Sequence, residues 1–298
     1  MTSTNDIKSA QPKQANWELD FYSRPIIEPD GKKRWELLIS STQSFSQEET
    51  FRWEKRCPAN EVNSIWLSTA LREALVDAGN QGWEPPNTLR CWRASMKTMI
   101  KKAAETVNLE VKESKRTYTL LDWLAQREKE LYPSQSGYQS GPIAPAPARI
   151  LNEPTPLPEA LRGDAWSFAS LEVGSLRESN DWPIEFSGLL PIKSSLNPSI
   201  SIPGLRLFSS NRAFALSAWL SGLEPVRLVV EKNQLILESG QEDRWLVTDM
   251  PNDSANEAKG NLLESKEQAT GLQFISIQTS PDVEKFAGFW LLRDLEEI

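Results

Sequence analysis

The sequence predicts an α+β protein built in two parts, and three observations carry that reading. Apolar and polar residues alternate at 17–24, 33–40 and 50–57, the period of half-buried strands. Other stretches place apolar residues three and four apart, the period of helices packed on a sheet. Between them, 133–164 holds Pro133, Pro142, Pro145, Pro147, Pro154, Pro156 and Pro158. Proline fixes φ and removes a donor, so this stretch suits neither a helix nor a central strand. The expected plan is a polar, disordered N-terminus at 1–16, an α+β domain at 17–132, a linker at 133–164 and a second α+β domain at 165–298.

Trp17, Leu19 and Phe21 share one face of the first strand, with Glu18, Asp20 and Tyr22 on the other. Trp35, Leu37 and Ile39 repeat the pattern, and Pro29, Asp30 and Gly31 between the arms are turn residues, which makes a β-hairpin. Phe51, Trp53, Lys55 and Cys57 form the third run. Asn60 reads as a helix cap, with Val62, Ile65, Trp66, Thr69 and Ala70 as the apolar face and Gly79 as the end. A short strand at Leu89–Trp92 follows. Ser95 then reads as the cap of a helix whose stripe is Met96, Met99, Ile100, Ala103 and Val107. A strand at 109–116 and a helix at 120–131 close the first part.

The second part reads as a strand at 165–173, an irregular region at 189–205 and a helix at 211–221 ended by Gly222 with Pro225 beyond. Strands at 226–231, 234–238 and 244–248, a helix at 256–268 and a strand at 272–278 come next. Ser280 and Pro281 read as the cap and first turn of a final helix. Met96, Met99, Ile100 and Ala103 match Val283, Phe286, Ala287 and Trp290 at one offset. A duplicated ribonuclease-H-like module and the coincidence of a common element order both account for that match, and neither speaks to function.

At 298 residues, 39% hydrophobic and 25% charged, the composition is that of an ordinary folded protein. There is no run of 18 apolar residues and so no expected membrane insertion. The first 16 residues have neither an apolar core nor an Arg, unlike a secretory signal or a transit peptide. The chain contains no His, which removes Ser-His and Cys-His nucleophile pairs, His-ligated zinc and the usual general base near neutrality. Cys57 and Cys91 stand far apart and read as reduced thiols in apolar strands. No catalytic residue, metal site or cofactor is expected.

The net charge of −8 is uneven: residues 1–132 carry 20 Lys and Arg against 19 Asp and Glu, whereas 133–298 carry 13 against 22. A polyanion-binding surface therefore belongs in the first part. The segment from Arg90 to Arg116 concentrates Arg90, Arg93, Lys97, Lys101, Lys102, Lys112, Lys115 and Arg116 against Glu105, Glu110 and Glu113. Such a run neutralises phosphates along a single strand, with Trp92 or Tyr118 for base stacking; it also fits a solvated helix face. Glu18, Asp20 and Glu36 form the polar face of neighbouring strands, with Arg52, Glu54 and Arg56 on the third. Asp20 sits where a metal-dependent nuclease of ribonuclease-H-like fold places an acid, and the other reading is a solvated face with cross-strand ion pairs.

The run Trp17-Glu18-Leu19-Asp20-Phe21-Tyr22-Ser23-Arg24-Pro25, with Trp35 in the second arm, resembles the opening of the TAB/ATAB family, RNA-binding translation factors of chloroplasts with cyanobacterial relatives. Pro156-Leu157-Pro158 with Gly163, Trp166 and Phe168, the segment Trp219 to Pro225 with Gly222, and Trp290-Leu291-Leu292 extend the resemblance over nearly the whole chain. It implies a protein that binds A/U-rich single-stranded leader RNA and supports translation of photosystem reaction-centre messages and photosystem I assembly. The ribosome and photosystem assembly factors are the further partners it suggests. It also implies a cyanobacterial cytoplasmic setting, with peripheral association at the thylakoid surface left open. A non-catalytic scaffold in photosystem biogenesis and a metal-dependent nuclease using Asp20 are the alternative functions.

Overall fold

The hairpin that opens the chain sets the first sheet. In the computed structural model, which describes residues 16–43, 49–140, 152–159, 162–179, 182–190, 192–251, 260 and 262–294, β1 is Trp17–Ile27 and β2 is Lys33–Ser41. Gly31 takes φ +79 in the turn between them, a conformation glycine adopts without steric cost. β3 (Arg52–Cys57) pairs antiparallel with β2, while β4 (Thr88–Cys91) runs parallel to β1. With β5 (Glu110–Glu113) the order is β3-β2-β1-β4-β5.

The chain divides into two compact units. The first takes the described residues up to Thr42 with Thr50–Lys112 and Thr119–Ser140; the second takes the remainder, including Glu113–Tyr118.

In the first unit, α1 (Ser64–Asn80) and α2 (Lys97–Glu105) cover one sheet face. Trp17, Leu19, Phe21, Leu37 and Ile39 pack there with Leu67, Leu71, Ile100 and Ala103. Trp17 stacks on Phe51 at 5.3 Å, and Phe21 on Trp66 at 5.5 Å. Helix α1 is capped by Asn63 rather than Asn60: its side chain accepts from the amides of Ile65 and Trp66. The buried stripe shifts with the cap to Leu67, Ala70, Leu71, Ala74 and Ala78, leaving Ile65 79% exposed. The helix runs past Gly79 to Asn80, and Gly82 takes the positive φ. Ser95 caps nothing; it lies in a short 3-10 turn, Ala94–Met96, that feeds α2.

The other face of this sheet was expected to be solvated. It is covered by α3 (Tyr118–Gln126) and the turns through Ser134. Ile26, Leu38, Leu120, Trp123, Leu124 and Tyr132 form a second core there, and Glu18, Asp20 and Glu36 are buried among them at 0%, 1% and 3% exposure. Both faces of β1 are thus interior.

The second unit holds two sheets. One contains β7 (Ala165–Glu172), β8 (Ile184–Gly188), β9 (Ser201–Phe208), β13 (Leu272–Gln278) and β14 (Phe286–Arg293), in the order β7-β9-β13-β14-β8. The other joins β10 (Pro225–Glu231), β11 (Gln234–Ser239), β12 (Asp243–Asp249) and the two-residue β6 (Thr155–Pro156). α5 (Ala213–Leu223) packs on Leu205, Leu207, Ile275, Ile277 and Trp290, while α4 (Val173–Arg177) lies on the side of Phe274, Phe289 and Leu291. At Gly204 a Cβ would stand 2.4 Å from the Phe274 ring, so only glycine allows that approach.

Three expectations for this unit are corrected. The final helix is the strand β14; Phe286–Arg293 is a near-continuous apolar run inserted between β13 and β8, and a strand buried on both faces loses its period-two signature. The match between Met96–Ala103 and Val283–Trp290 therefore pairs a helix with a strand, and the element order of the first unit is not repeated here. Gly222 lies inside α5, and Glu224 takes the left-handed turn at φ 56 before Pro225 starts β10. The region at 189–205, expected to be irregular, contains the start of β9, and β8 before it was not anticipated.

Of the expected linker, Tyr132–Ser134 form a 3-10 turn, Tyr138 bridges Ile26, and Thr155–Pro156 pair with β12; 141–151 lie outside the described residues. So do the expected disordered residues 1–15 and the first part of the helix at 256–268. No helix among the described residues is long and apolar enough to cross a membrane.

Candidate nucleic-acid interface

Strand alternation places Glu18 and Asp20 under α3, where charge must be matched. Arg24 donates from Nη1 to Asp20 Oδ2 at 2.7 Å and from Nε to Glu36 Oε2 at 3.3 Å. Arg93 donates from Nε to the other Asp20 oxygen at 2.6 Å. Glu36 Oε2 also accepts from Arg127 at 3.2 Å and from the Tyr132 hydroxyl at 2.8 Å, and Arg127 reaches on to Glu54. Glu18 Oε2 accepts the amide of Leu120 at 2.8 Å, holding the start of α3.

Burial alone would raise the Asp20 carboxyl, but the guanidinium groups of Arg24 and Arg93 hold it below the usual carboxylate range. Burial pushes the Tyr132 hydroxyl up to about 12, so it stays a donor. With both oxygens engaged by guanidinium groups, Asp20 is a structural anion, and the arrangement expected of a nuclease carboxylate is not formed. Cys57 and Cys91 are free and buried, and burial pushes the Cys57 thiol up to about 12, away from thiolate chemistry.

The basic run does not make one patch. Arg90 stands opposite Glu18 in the register and bonds Thr42 Oγ1 at 3.4 Å, on the α3 side of the sheet. Trp92 packs on the same side, and the Arg93 guanidinium lies 4.0 Å from its ring centroid and 4.1 Å from that of Tyr22. One face of the Trp92 indole is thereby covered by Arg93. Lys97, Lys101 and Lys102 stand together on α2, which is bound to the opposite sheet face through Ile100, Ala103 and Ala104. Lys102 is exposed and the other two are half-buried. Lys112 lies on the edge strand β5.

Lys115 and Arg116 belong to the second unit. The Lys115 amide donates to Gly240 O at 2.9 Å. Arg116 is buried, and its guanidinium donates to Pro225 O at 2.6 Å, Gly188 O at 2.9 Å and Leu291 O at 3.3 Å. It fastens three backbone segments, so its expected role as an RNA contact is corrected to a structural one. Tyr118, the other stacking candidate, is buried with its hydroxyl on Val226 O.

The signature residues divide similarly. Trp17, Trp290, Leu291 and Leu292 are core, Asp20 and Arg24 belong to the ion network, Pro25 accepts the Gln139 amide, Trp35 packs edge-on to Tyr22, and Trp219 packs edge-on to Trp245. Arg127 and Tyr132 were missed as partners of the carboxylates. The signal for them was the apolar Leu120, Leu121, Trp123 and Leu124, which need a sheet face to cover.

Comparison with known proteins places this mixed α+β chain among RNA-binding proteins. Residues 16–127 match the model of the RNA-binding protein Tab2/Atab2 N-terminal region, and 145–293 match that of its C-terminal domain. The chain is 34% identical over 292 residues to the chloroplastic protein TAB2 homolog of Arabidopsis thaliana, covering 94% of this chain and 74% of that one. It is 32% identical over 289 residues to the chloroplastic TAB2 homolog of Zea mays, covering 94% and 71%. The chain belongs to the Tab2/Atab2 family of RNA-binding proteins.

Proposed function

We propose that this chain binds single-stranded RNA and supports translation of photosystem reaction-centre messages, acting on A/U-rich leaders. The observation that carries the reading is family membership across both halves of the chain. The three lysines of α2 supply a surface of the right sign for phosphates: Lys102 is exposed, and Lys97 and Lys101 are half-buried beside the packed face of the helix. A/U-rich single strands hold little structure of their own, which leaves bases available for recognition. The acidic balance of 133–298 favours the first unit as the side that meets phosphates. In this reading the protein works at the site of photosystem synthesis, cytoplasmic in a cyanobacterial cell, and performs no catalysis.

RNA crosslinked to the protein in its own cells tests this. The expected result is enrichment of A/U-rich leader segments from photosystem messages over total RNA. Recovery of ribosomal or assembly proteins with no RNA above background would overturn it in favour of a scaffold.

A further inference from the structure

Edge strands expose unpaired backbone groups, and proteins guard them with charge, proline, short length or cover. Five sheet edges among the described residues are guarded. β3 carries Arg52, Glu54, Lys55 and Arg56, and β5 carries Glu110, Lys112 and Glu113. β6 is two residues long and ends in Pro156. Along β10 the carbonyls of Pro225, Val226 and Leu228 accept from Arg116, Tyr118 and Lys266, and the Leu228 amide donates to Gln273. β8 has Glu185 paired with Lys285 and its Gly188 carbonyl held by Arg116.

β7 is different. It is eight residues long, Ala165–Glu172, and has no charged residue and no proline from Ala165 to Leu171. Trp166 and Phe168 stand on one face, 37% and 40% exposed, their rings edge-to-face at 5.4 Å. An open strand of this length and composition is a template for another strand.

We propose that β7 pairs antiparallel with β7 of a second copy of this chain, joining two five-stranded sheets across a two-fold axis at Ser167. The strand is self-complementary in that register. Trp166 meets Phe168 of the second copy and Phe168 meets its Trp166, giving two aromatic cross-strand pairs. Ala165 meets Ala169, so no bulk opposes bulk on the other face. The inference does not depend on RNA binding.

Sedimentation of the full chain through a dilution series tests it. The wild-type chain sediments as a dimer that dissociates on dilution. Phe168→Lys, a change at an exposed position, places a cation against Trp166 of the second copy and weakens the dimer at least about tenfold, or about 1.4 kcal/mol, with an unchanged circular dichroism spectrum. Ser167→Cys sets two thiols opposite each other and yields a disulfide-linked dimer in oxidising buffer, where the buried Cys57 and Cys91 do not compete. A wild-type monomer at every concentration together with uncrosslinked Ser167→Cys overturns the proposal, as does a dimer indifferent to Phe168→Lys. A monomer that binds an extended apolar peptide along β7 reassigns the edge to peptide addition. A monomer whose RNA affinity falls in Phe168→Lys reassigns the aromatic pair to base stacking. Either reassignment overturns self-pairing.

Discussion

Arg24→Ala destabilises the first unit by about 3–5 kcal/mol, the cost of removing one partner from a buried ion network. Arg24 is 2% exposed and ties Asp20 on β1 to Glu36 on β2. Its loss leaves Arg93 alone against Asp20, and Glu36 with Arg127 and the Tyr132 hydroxyl. Leu120, Trp123, Leu124 and Tyr132 pack over this layer, which restricts compensation by water. Urea unfolding followed by tryptophan fluorescence measures the loss. The same network sets an acid limit. Asp20 has a folded-state pKa below its ordinary 3.8, so on acidification the unfolded chain takes up the proton first. Its contribution is complete above that ordinary value and is lost as pH falls through the folded one. Asp20→Asn removes this part of the pH dependence, leaving a lower and flatter acid limb. Arg24→Ala with wild-type stability would mean that the layer under α3 is hydrated.

Arg116→Ala is the second large effect, a loss of at least about 3 kcal/mol, because it strands several buried carbonyl oxygens that each cost about 1–3 kcal/mol when unpaired. The guanidinium fork reaches Pro225, Gly188 and Leu291 at once, and its plane also lies over the Tyr118 ring at 5.6 Å. Arg116→Lys keeps the charge but offers a single ammonium, which cannot span three carbonyls, so it recovers only part of the loss. Denaturation of both variants, with RNA binding measured under conditions where they remain folded, separates the roles. The expected outcome is lower stability with an unchanged salt dependence. Intact stability with weakened RNA binding would return Arg116 to the interface.

The hairpin β1–β2 and the strands β10 to β13 were legible because each is half-buried or bounded by turn residues, and period two survives in the letters. Trp17 to Phe21 shows the limit of that signal. Alternation told which residues share a face, but not that the polar face is also interior; that required knowing that Leu120, Trp123 and Leu124 dock on it. β14 was illegible for the opposite reason: Phe289 to Leu292 are buried on both faces, and a continuous apolar run does not distinguish strand from helix. In the candidate interface, the helical spacing of Lys97, Lys101 and Lys102 was readable. The fates of Arg93 and Arg116 were not, because their partners Asp20, Pro225 and Leu291 lie far away in sequence.

The most direct test of α2 as an RNA surface is the salt dependence of RNA binding by the triple variant Lys97→Ala, Lys101→Ala, Lys102→Ala. Alanine is the better helix former, and because Lys97 and Lys101 are half-buried, circular dichroism of the variant verifies that the fold is retained. Removing one cation from a phosphate of a single strand lowers the log–log slope by about 0.7, so the slope should flatten by up to about 2 units and affinity should fall at low salt. A folded triple variant that binds RNA with wild-type affinity and slope would contradict the assignment of α2 to the RNA surface.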